Sequence, residues 1–298
     1  RFNEDALRIL RALRFASVYG FSIEENTSKS IFKNADLLKN IATERVISEF
    51  LKLICGKDAV KILDAYRETI AVIIPEITVM FNFNQNNIHH SYDLWQHTLT
   101  ALGTIEPNPI LRMTMLLHDI GKPSVKTTDN SGQSHFQGHQ LESKKIADRI
   151  LHRLRLPSDF INKTLLLIEY HDVRFNGRKK LLKKVMNVLG TDLTKQLLEV
   201  EYADISAQSE YQREEKLGYL KTAKTHLNEI IKDNECFKLS QLDINGKDVL
   251  NLGVKEGRDV GNILDYLLML VVDANVPNKK SILISKAKEY IYGNQINK

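Results

Sequence analysis

Turn-forming residues are scarce in this chain, and that scarcity constrains its fold more than any other feature. The 298 residues include 14 glycines and 6 prolines, about 7% of the chain, where roughly 12% is usual. Such a composition favours long helices joined by short connections. A hydrophobic fraction of 43% and a charged fraction of 27% are ordinary for globular proteins, and they exclude global disorder.

Hydrophobic periodicity places helices along the whole chain. Leu7, Leu10 and Leu13 follow the helical period in the first segment. Further helices are predicted from residue 43 and at 64–74, 143–156, 163–170, 181–206, 211–232, 261–272 and 279–292, with a linker at 82–87 and a loop at 127–135. The predicted fold class is all-α, in three parts: a multi-helical neck or body (1–84), a histidine-rich helical domain (85–232) and a small helical tail (233–298).

Several protein classes are excluded or disfavoured. No apolar run approaches the roughly 20 residues that span a bilayer. Cys55 and Cys236 lie far apart without CxxC spacing, so neither a disulfide framework nor a zinc knuckle is supported and a cytoplasmic location is expected. The net charge of +5 is compatible with an anionic partner. Residues 1–5 resemble neither a signal peptide nor a natural start, so we expect a piece of a longer polypeptide.

The sharpest local signal is the adjacent pair His118 and Asp119, which follows an apolar helical run. Side chains at consecutive helical positions diverge by about 100°, so both reach one metal ion only near a helix end. Gly121, which permits the chain to turn, and Pro123 provide that end. A lone histidine is more often a surface or core residue, and we assign that role to His89, His90, His135 and His152.

The order of these residues resembles the HD phosphohydrolase superfamily, named for its His-Asp doublet. The resemblance implies that a divalent metal is bound by His97, His118, Asp119 and Asp204. His139 and His171 fall where some members add ligands for a second ion. Mixed imidazole and carboxylate ligands suit Mn, Ni, Fe, Co or Zn, with Mg also considered. His118 and Asp119 would then be catalytic, with Lys122 holding a phosphate oxygen as a point charge.

Residues 1–16 closely resemble the Glu-Asp-x-x-Arg motif of class II tRNA nucleotidyltransferases, the CCA-adding enzymes and bacterial poly(A) polymerases. The resemblance implies that Asp5 and Arg8, with Glu4 and Arg11 nearby, bind the incoming CTP or ATP. An Asp and an Arg one turn apart present an acceptor and a donor fork on one helix face.

Three further segments match this family or suit its RNA substrate. Residues 42–49 resemble its Glu-Arg-x-x-x-Glu motif, although Arg45 and Glu49 also have the spacing of a surface ion pair. Residues 244–261 resemble the tail that contacts tRNA in bacterial members. A basic run has only Asp172 as a nearby acid and comprises Arg174, Arg178, Lys179, Lys180, Lys183 and Lys184. Such a run is explained equally well by contact with RNA and by a solvent-exposed helix face.

The family's polymerase head, whose Asp-x-Asp carboxylates hold Mg, is not found in these 298 residues and would lie upstream of Arg1. The resemblance implies the C-terminal part of a CCA-adding enzyme, with tRNA, CTP and ATP as partners of the whole enzyme. It also implies an HD domain that hydrolyses 2′,3′-cyclic or 2′-phosphate ends. A stand-alone HD nucleotide phosphohydrolase and a non-catalytic tRNA-binding module are the alternatives. Metal identity, the nucleotides added and the oligomeric state stay open.

Overall fold

The computed structural model describes residues 2–87, 89, 92–255 and 257–296, with side chains as far as residue 293. Within these ranges the chain is mostly helical and contains one short hairpin, which confirms the all-α prediction. Three residues named above, Arg1, His90 and Glu256 (the last within the tail motif), lie outside the described residues.

The α-helices run as follows: α1 (Leu7–Tyr19), α2 (Glu25–Asn34), α3 (Thr43–Ile54), α4 (Ala59–Ala65), α5 (Arg67–Ala71), α6 (Leu94–Thr104), α7 (Pro109–Leu117), α8 (Lys122–Val125), α9 (His139–Arg153), α10 (Ser158–Tyr170), α11 (Lys179–Ser206), α12 (Arg213–Lys232), α13 (Gly246–Leu250), α14 (Arg258–Val272) and α15 (Lys280–Ile296). Short 3₁₀ helices cover Ala35–Asn40, Pro75–Met80 and Leu239–Gln241. Strands β1 (Thr127–Thr128) and β2 (Ser134–His135) pair antiparallel.

The predicted helices differ from these bounds in two instructive places. The single helix expected at 64–74 is two short helices, α4 and α5, separated at Tyr66. The long helix α11 is interrupted at Gly190, whose φ of 72° and ψ of 177° are not helical. The loop expected at 127–135 contains the β1–β2 hairpin. Helix existence follows from local periodicity, whereas these interruptions depend on single residues that periodicity averages over.

The chain forms two compact units. The first contains residues 1–173 and 196–217, and its core includes the fully buried side chains of Leu10, Leu13, Phe50 and Leu53, where α1 packs against α3. Burial of each such side chain stabilises the fold by about 1.5–3 kcal/mol. Further along, α7 packs against α6 and α10, and α9 packs against α10. These four helices bring the histidines together.

The second unit contains residues 174–195 and 218–298. Ile263, Leu267 and Val271 recur with helical spacing on α14 and are buried in its core. Asn245 caps α13, because its side-chain oxygen accepts hydrogen bonds from the backbone of Lys247 and Asp248. No helix among the described residues combines the length and the apolar character needed to cross a membrane.

The polar stretch 82–87, predicted to be a linker, is packed within the first unit. Gln85 is buried, and Asn87 donates a hydrogen bond of 2.8 Å to the backbone oxygen of Ser134 in the hairpin. Asn86 donates a second one to Gly132. Two side-chain amides of this stretch, those of the exposed Asn86 and the half-buried Asn87, thus donate to carbonyls of the hairpin. The stretch also lies next to the histidine cluster, because Gln85 Oε1 accepts a hydrogen bond from Lys122.

Candidate metal centre

Helix ends position most of the predicted ligands. His118 directly follows α7, with Asp119 next in the chain, and His171 directly follows α10. His139 is the first residue of α9. The doublet therefore lies at a helix terminus, where two consecutive side chains are able to face one point, as the sequence predicted.

The first ligand group contains His97, His118, Asp119 and Asp204. His97 Nε2 lies 2.9 Å from Asp204 Oδ1 and 3.5 Å from Asp119 Oδ2. His118 Nε2 lies 3.2 Å from Asp119 Oδ2 and 3.5 Å from Asp204 Oδ1. The structure thus brings together all four residues that the HD resemblance names.

The second ligand group contains Asp119, His139 and His171. Asp119 Oδ1 lies 3.3 Å from His139 Nε2 and 3.6 Å from His171 Nε2, and the two imidazole nitrogens lie 3.2 Å apart. Asp119 is shared, because its Oδ2 faces the first group while its Oδ1 faces the second. Asp119 would therefore contribute one oxygen to each of the two candidate ligand groups.

Backbone carbonyls fix the orientation of all four imidazoles. The Nδ1 atoms lie within hydrogen-bond distance of the backbone oxygens of Ala207 (His97, 3.2 Å), Met115 (His118, 2.7 Å), Phe136 (His139, 2.9 Å) and Ile168 (His171, 2.7 Å). A carbonyl only accepts, so each Nδ1 carries a hydrogen. In the neutral ring, Nε2 then presents a lone pair towards the cluster, which is the outer-shell arrangement typical of metal-binding histidines.

The cluster fits a cation on the evidence of its own unsatisfied atoms. His118 Nε2 and Asp119 Oδ1 are buried and lack a hydrogen bond within the described residues, whereas Asp119 Oδ2 is paired with Lys122. Ligands about 2.1 Å from a shared ion in octahedral geometry lie about 3.0 Å apart, close to the imidazole–carboxylate separations of 2.9–3.6 Å in this cluster.

Protons compete with cations for the first group. Burial lowers the pKa of His118, but the charge of Asp119 outweighs it and raises that pKa to about 10. Burial alone would raise the pKa of Asp119, yet the charges of His118 and Lys122 hold it well below the usual range. For Asp204, the close contacts with Nε2 of His118 and His97 likewise outweigh burial and hold the pKa well below its ordinary value. Both carboxylates are therefore ionised at neutral pH.

Lys122 lies inside the cluster rather than at its surface. Its Nζ is 2.6 Å from Asp119 Oδ2 and donates a hydrogen bond of 3.1 Å to Gln85 Oε1. The ammonium thus offsets the buried carboxylate charge. A contact between Lys122 and a phosphate stays a prediction.

Sequence reasoning missed Glu201. Its carboxyl is buried, and Oε1 lacks a hydrogen bond within the described residues. Burial raises the pKa of Glu201 well above its ordinary value, and the charges of Asp204 and Asp172 raise it further. Burial and the two neighbouring carboxylates therefore favour the protonated form of Glu201 relative to an ordinary glutamate. The signal was its position three residues before Asp204 on α11, since such residues share a helix face.

Gly121 has a different purpose from the predicted one. Its φ of −82° and ψ of −14° are ordinary right-handed helical values, so the turn itself does not require glycine. A Cβ at this position would lie 2.5 Å from the backbone nitrogen of Ser143 and 2.8 Å from the oxygen of His139. Glycine allows α9 to approach closely, which places His139 beside Asp119.

The predicted nucleotide-binding residues lie at the start of α1. Glu4 and Arg8 form a surface ion pair of 2.9 Å, and Arg11 is exposed. Asp5 accepts a hydrogen bond from the backbone of Leu7.

The two neck motifs contact each other. Arg45 Nη2 lies 3.7 Å from Asp5 Oδ2, and Arg14 Nε lies 3.2 Å from Glu49 Oε2. Arg45 and Glu49 therefore each have an ion pair with the segment that contains α1, and these two ion pairs do not join Arg45 and Glu49 to each other. Nucleotide binding by these motifs stays a prediction.

The basic run is more neutralised than its sequence suggests. In the second unit, acids distant in the chain pair with four of its lysines: Lys179 with Glu229 and Glu235, Lys183 with Glu235, and Lys180 and Lys184 with Asp273. Arg178 is exposed, and no ion pair involves it among the described residues. RNA contact by this run stays a prediction, and Arg178 is its best-placed member.

Comparisons with known protein families match residues in both units. The family described as "tRNA nucleotidyltransferase domain 2 putative" matches residues 139–287, half of the chain. The chain belongs to the tRNA nucleotidyltransferase family. A second family, "Probable RNA and SrmB- binding site of polymerase A", matches residues 20–81, which include α2 and α3.

Individual relatives agree with this assignment to the tRNA nucleotidyltransferase family. The chain is 29% identical to the CC-adding tRNA nucleotidyltransferase of Thermus thermophilus, over 93% of this chain and 65% of the relative. It is 30% identical to the Multifunctional CCA protein of Legionella pneumophila, over 62% of this chain and 48% of the relative. The chain thus spans less than two thirds of the length of either relative.

The fold also has a solved counterpart. The Bacillus stearothermophilus CCA-adding enzyme, crystallised in complex with CTP, matches with a TM-score of 0.68 and 21% identity. The match covers 100% of this chain and 65% of that one. At this identity the likeness concerns the fold.

Proposed function

We propose that this chain carries an HD-type, metal-dependent phosphohydrolase site acting on 2′,3′-cyclic phosphates or 2′-phosphates at RNA ends. One observation carries the proposal: four imidazole Nε2 atoms, each oriented by a backbone carbonyl, converge on the two oxygens of Asp119. Buried lone pairs arranged around an ionised carboxylate are costly unless a cation or protons occupy the space.

The chain's residues have distinct tasks in this site. His97, His118 and Asp204 hold the first ion with Asp119, and His139 and His171 hold the second. When bound, the ions polarise the phosphate and lower the pKa of a water that attacks phosphorus. Lys122 balances the charge of Asp119.

The test is hydrolysis of 2′,3′-cyclic AMP with added Mn²⁺ or Ni²⁺, beside metal binding by calorimetry. We expect Asp119→Ala to abolish turnover and binding of both ions. Asp204→Ala and His171→Ala should each remove one ion. The matched control is His152→Ala, because His152 is an exposed histidine paired with Asp148 outside the cluster.

The outcomes separate the alternatives. Turnover that needs metal and is lost in Asp119→Ala supports the HD proposal. Hydrolysis of nucleoside 5′-phosphates in place of the cyclic phosphate would favour a free-standing nucleotide phosphohydrolase. Folded protein that neither binds metal nor turns over would refute the phosphohydrolase proposal and leave a tRNA-binding module.

A second proposal concerns the whole protein of which this chain is a part. We propose that it processes tRNA 3′ ends by nucleotide addition, with α1 selecting CTP or ATP and with tRNA bound along the helical units. The family assignment and the names of the relatives support it. The test is anisotropy of a tRNA lacking its terminal CCA. Arg178→Ala should weaken binding more than Lys180→Ala, because Lys180 is already paired with Asp273.

A further inference from the structure

The turn between α11 and α12, residues 207–212, contacts two ligands of the first group from outside. The backbone oxygen of Ala207 accepts from Nδ1 of His97, and Gln208 Nε2 donates to Asp204 Oδ2 at 2.8 Å. Arg213 in turn donates to the backbone oxygens of Gln208 and Ser209 at 2.8 and 3.2 Å. The turn is therefore anchored on one side and supports two ligand side chains on the other.

Lys216 determines which way the Gln208 amide faces. Its Nζ lies 2.6 Å from Gln208 Oε1. An ammonium only donates, so the amide oxygen must face Lys216. The amide nitrogen is then directed to Asp204. Without Lys216, the two ends of the amide become nearly equivalent, and a flipped amide would place its oxygen against the carboxylate.

Gln208 in turn decides which oxygen of Asp204 is available. Oδ2 accepts the amide hydrogen bond, so Oδ1 faces His97 and His118 at 2.9 and 3.5 Å. The side chain of Asp204 is 15% exposed, unlike the fully enclosed Asp119. The hydrogen bond from Gln208 to Oδ2 therefore adds an external restraint on its rotation to the contacts that Oδ1 makes inside the cluster.

We propose that Lys216 and Gln208 form a positioning relay that holds Asp204 in its metal-binding orientation. The inference rests on the metal site proposed above. The relay serves only the first group, since His139 and His171 are oriented by the oxygens of Phe136 and Ile168. Outer-shell partners of this kind are worth about 10–100-fold in metal affinity.

Manganese titration followed by calorimetry tests the relay. We expect Gln208→Leu to weaken one of two ions about 10–100-fold, the same ion that Asp204→Ala removes, and to leave the other unchanged. Lys216→Met should weaken that ion less, and Lys216→Arg should retain its affinity because a donor is kept. Matched controls are Gln196→Leu, a half-buried glutamine on α11, the helix that carries Asp204, and Lys163→Met, a half-exposed lysine paired with Asp159; both should bind as the wild type does.

A double variant separates a relay from two independent effects. Because Lys216 acts through Gln208, the affinity of Gln208→Leu/Lys216→Met should equal that of Gln208→Leu alone. Melting temperatures without metal check folding, and Lys216→Met carries the test if Gln208→Leu fails to fold. Additive effects, or a Lys216→Met variant that changes only KM for the cyclic phosphate, would overturn the relay. Unchanged affinity in Gln208→Leu would also overturn it while leaving the metal site intact. A wild type that binds no manganese overturns both proposals.

Discussion

Substituting Gly121 by alanine is the most direct test of how the second ligand group is built. The new Cβ would lie 2.5 Å from Ser143 N, where ordinary contacts begin at 3.4 Å. Both close neighbours, Ser143 N and His139 O, are backbone atoms of α9, so rotating a side chain does not relieve the overlap. The start of α9 must retreat by up to about 0.9 Å.

That retreat has two measurable consequences. Overpacking of this kind costs about 1–3 kcal/mol, and separating Gly121 N from Ser143 Oγ, now 2.9 Å apart, adds the loss of a hydrogen bond. We therefore expect Tm to fall by several degrees. His139 is the first residue of α9, and ligand distances tolerate only about 0.2 Å, so the second ion should bind much more weakly. The first ion should keep most of its affinity because none of its ligands lies on α9.

Thermal unfolding of the metal-free chain and manganese calorimetry measure these two effects. The matched control is Gly218→Ala on α12, where a Cβ would meet nothing within 4 Å. Alanine there should be neutral or stabilising by up to about 1 kcal/mol, since glycine is the poorer helix former. Two ions bound by Gly121→Ala with wild-type affinity, or an unchanged Tm, would refute the reasoning that close approach is the purpose of Gly121.

Three further predictions concern protons and buried hydrogen bonds. The pKa of His118 is raised to about 10 in the metal-free protein, so binding of the first ion should release one proton and its affinity should rise about tenfold per pH unit from pH 7 to 9. Calorimetry in buffers of different ionisation enthalpy measures the number of protons released, and a value of zero would contradict the prediction. Because the pKa of Glu201 is raised in the folded protein, the folded state loses stability as pH rises above 4.5, where Glu201 of the unfolded chain ionises. Glu201→Gln should therefore raise Tm by a few degrees at pH 8 and hardly at pH 4. An equal shift in Tm at both pH values would rule out this cause. Ser17 donates a buried hydrogen bond of 2.6 Å to the oxygen of Leu53, so Ser17→Ala should lower the free energy of unfolding by about 1 kcal/mol in urea, and no change would show that the bond adds nothing.

Local patterns in the sequence account for most of the helices. The helix predicted from residue 43 is α3, which begins at Thr43, because its apolar residues repeat with the helical period. The break at Tyr66 between α4 and α5 was not predictable in the same way, since helical periodicity continues across it.

Among the candidate site residues, the resemblance to the HD superfamily named all six candidate metal ligands, and the structure brings them together; metal binding by them stays a prediction. The sequence contained no indication that Asp119 is shared between two groups, because that depends on how α7, α9 and α10 pack. Glu201 and Gln208 were missed for a related reason. Each is an ordinary polar residue until the fold buries it or places it against Asp204.

The basic run also shows a property that the sequence did not reveal, namely the pairing of its charges. Its sequence neighbourhood contains one acid, yet Glu235 and Asp273 pair with its lysines from 52 to 93 residues away. The sequence by itself determined where helices form and which side chains are able to bind metal, since both depend on residues within a few turns. Tertiary structure alone decided which charges are compensated, which carboxyl has a raised pKa and which glycine admits a neighbouring helix. Those properties depend on distances of 3–4 Å between segments far apart in the chain, and only packing sets such distances.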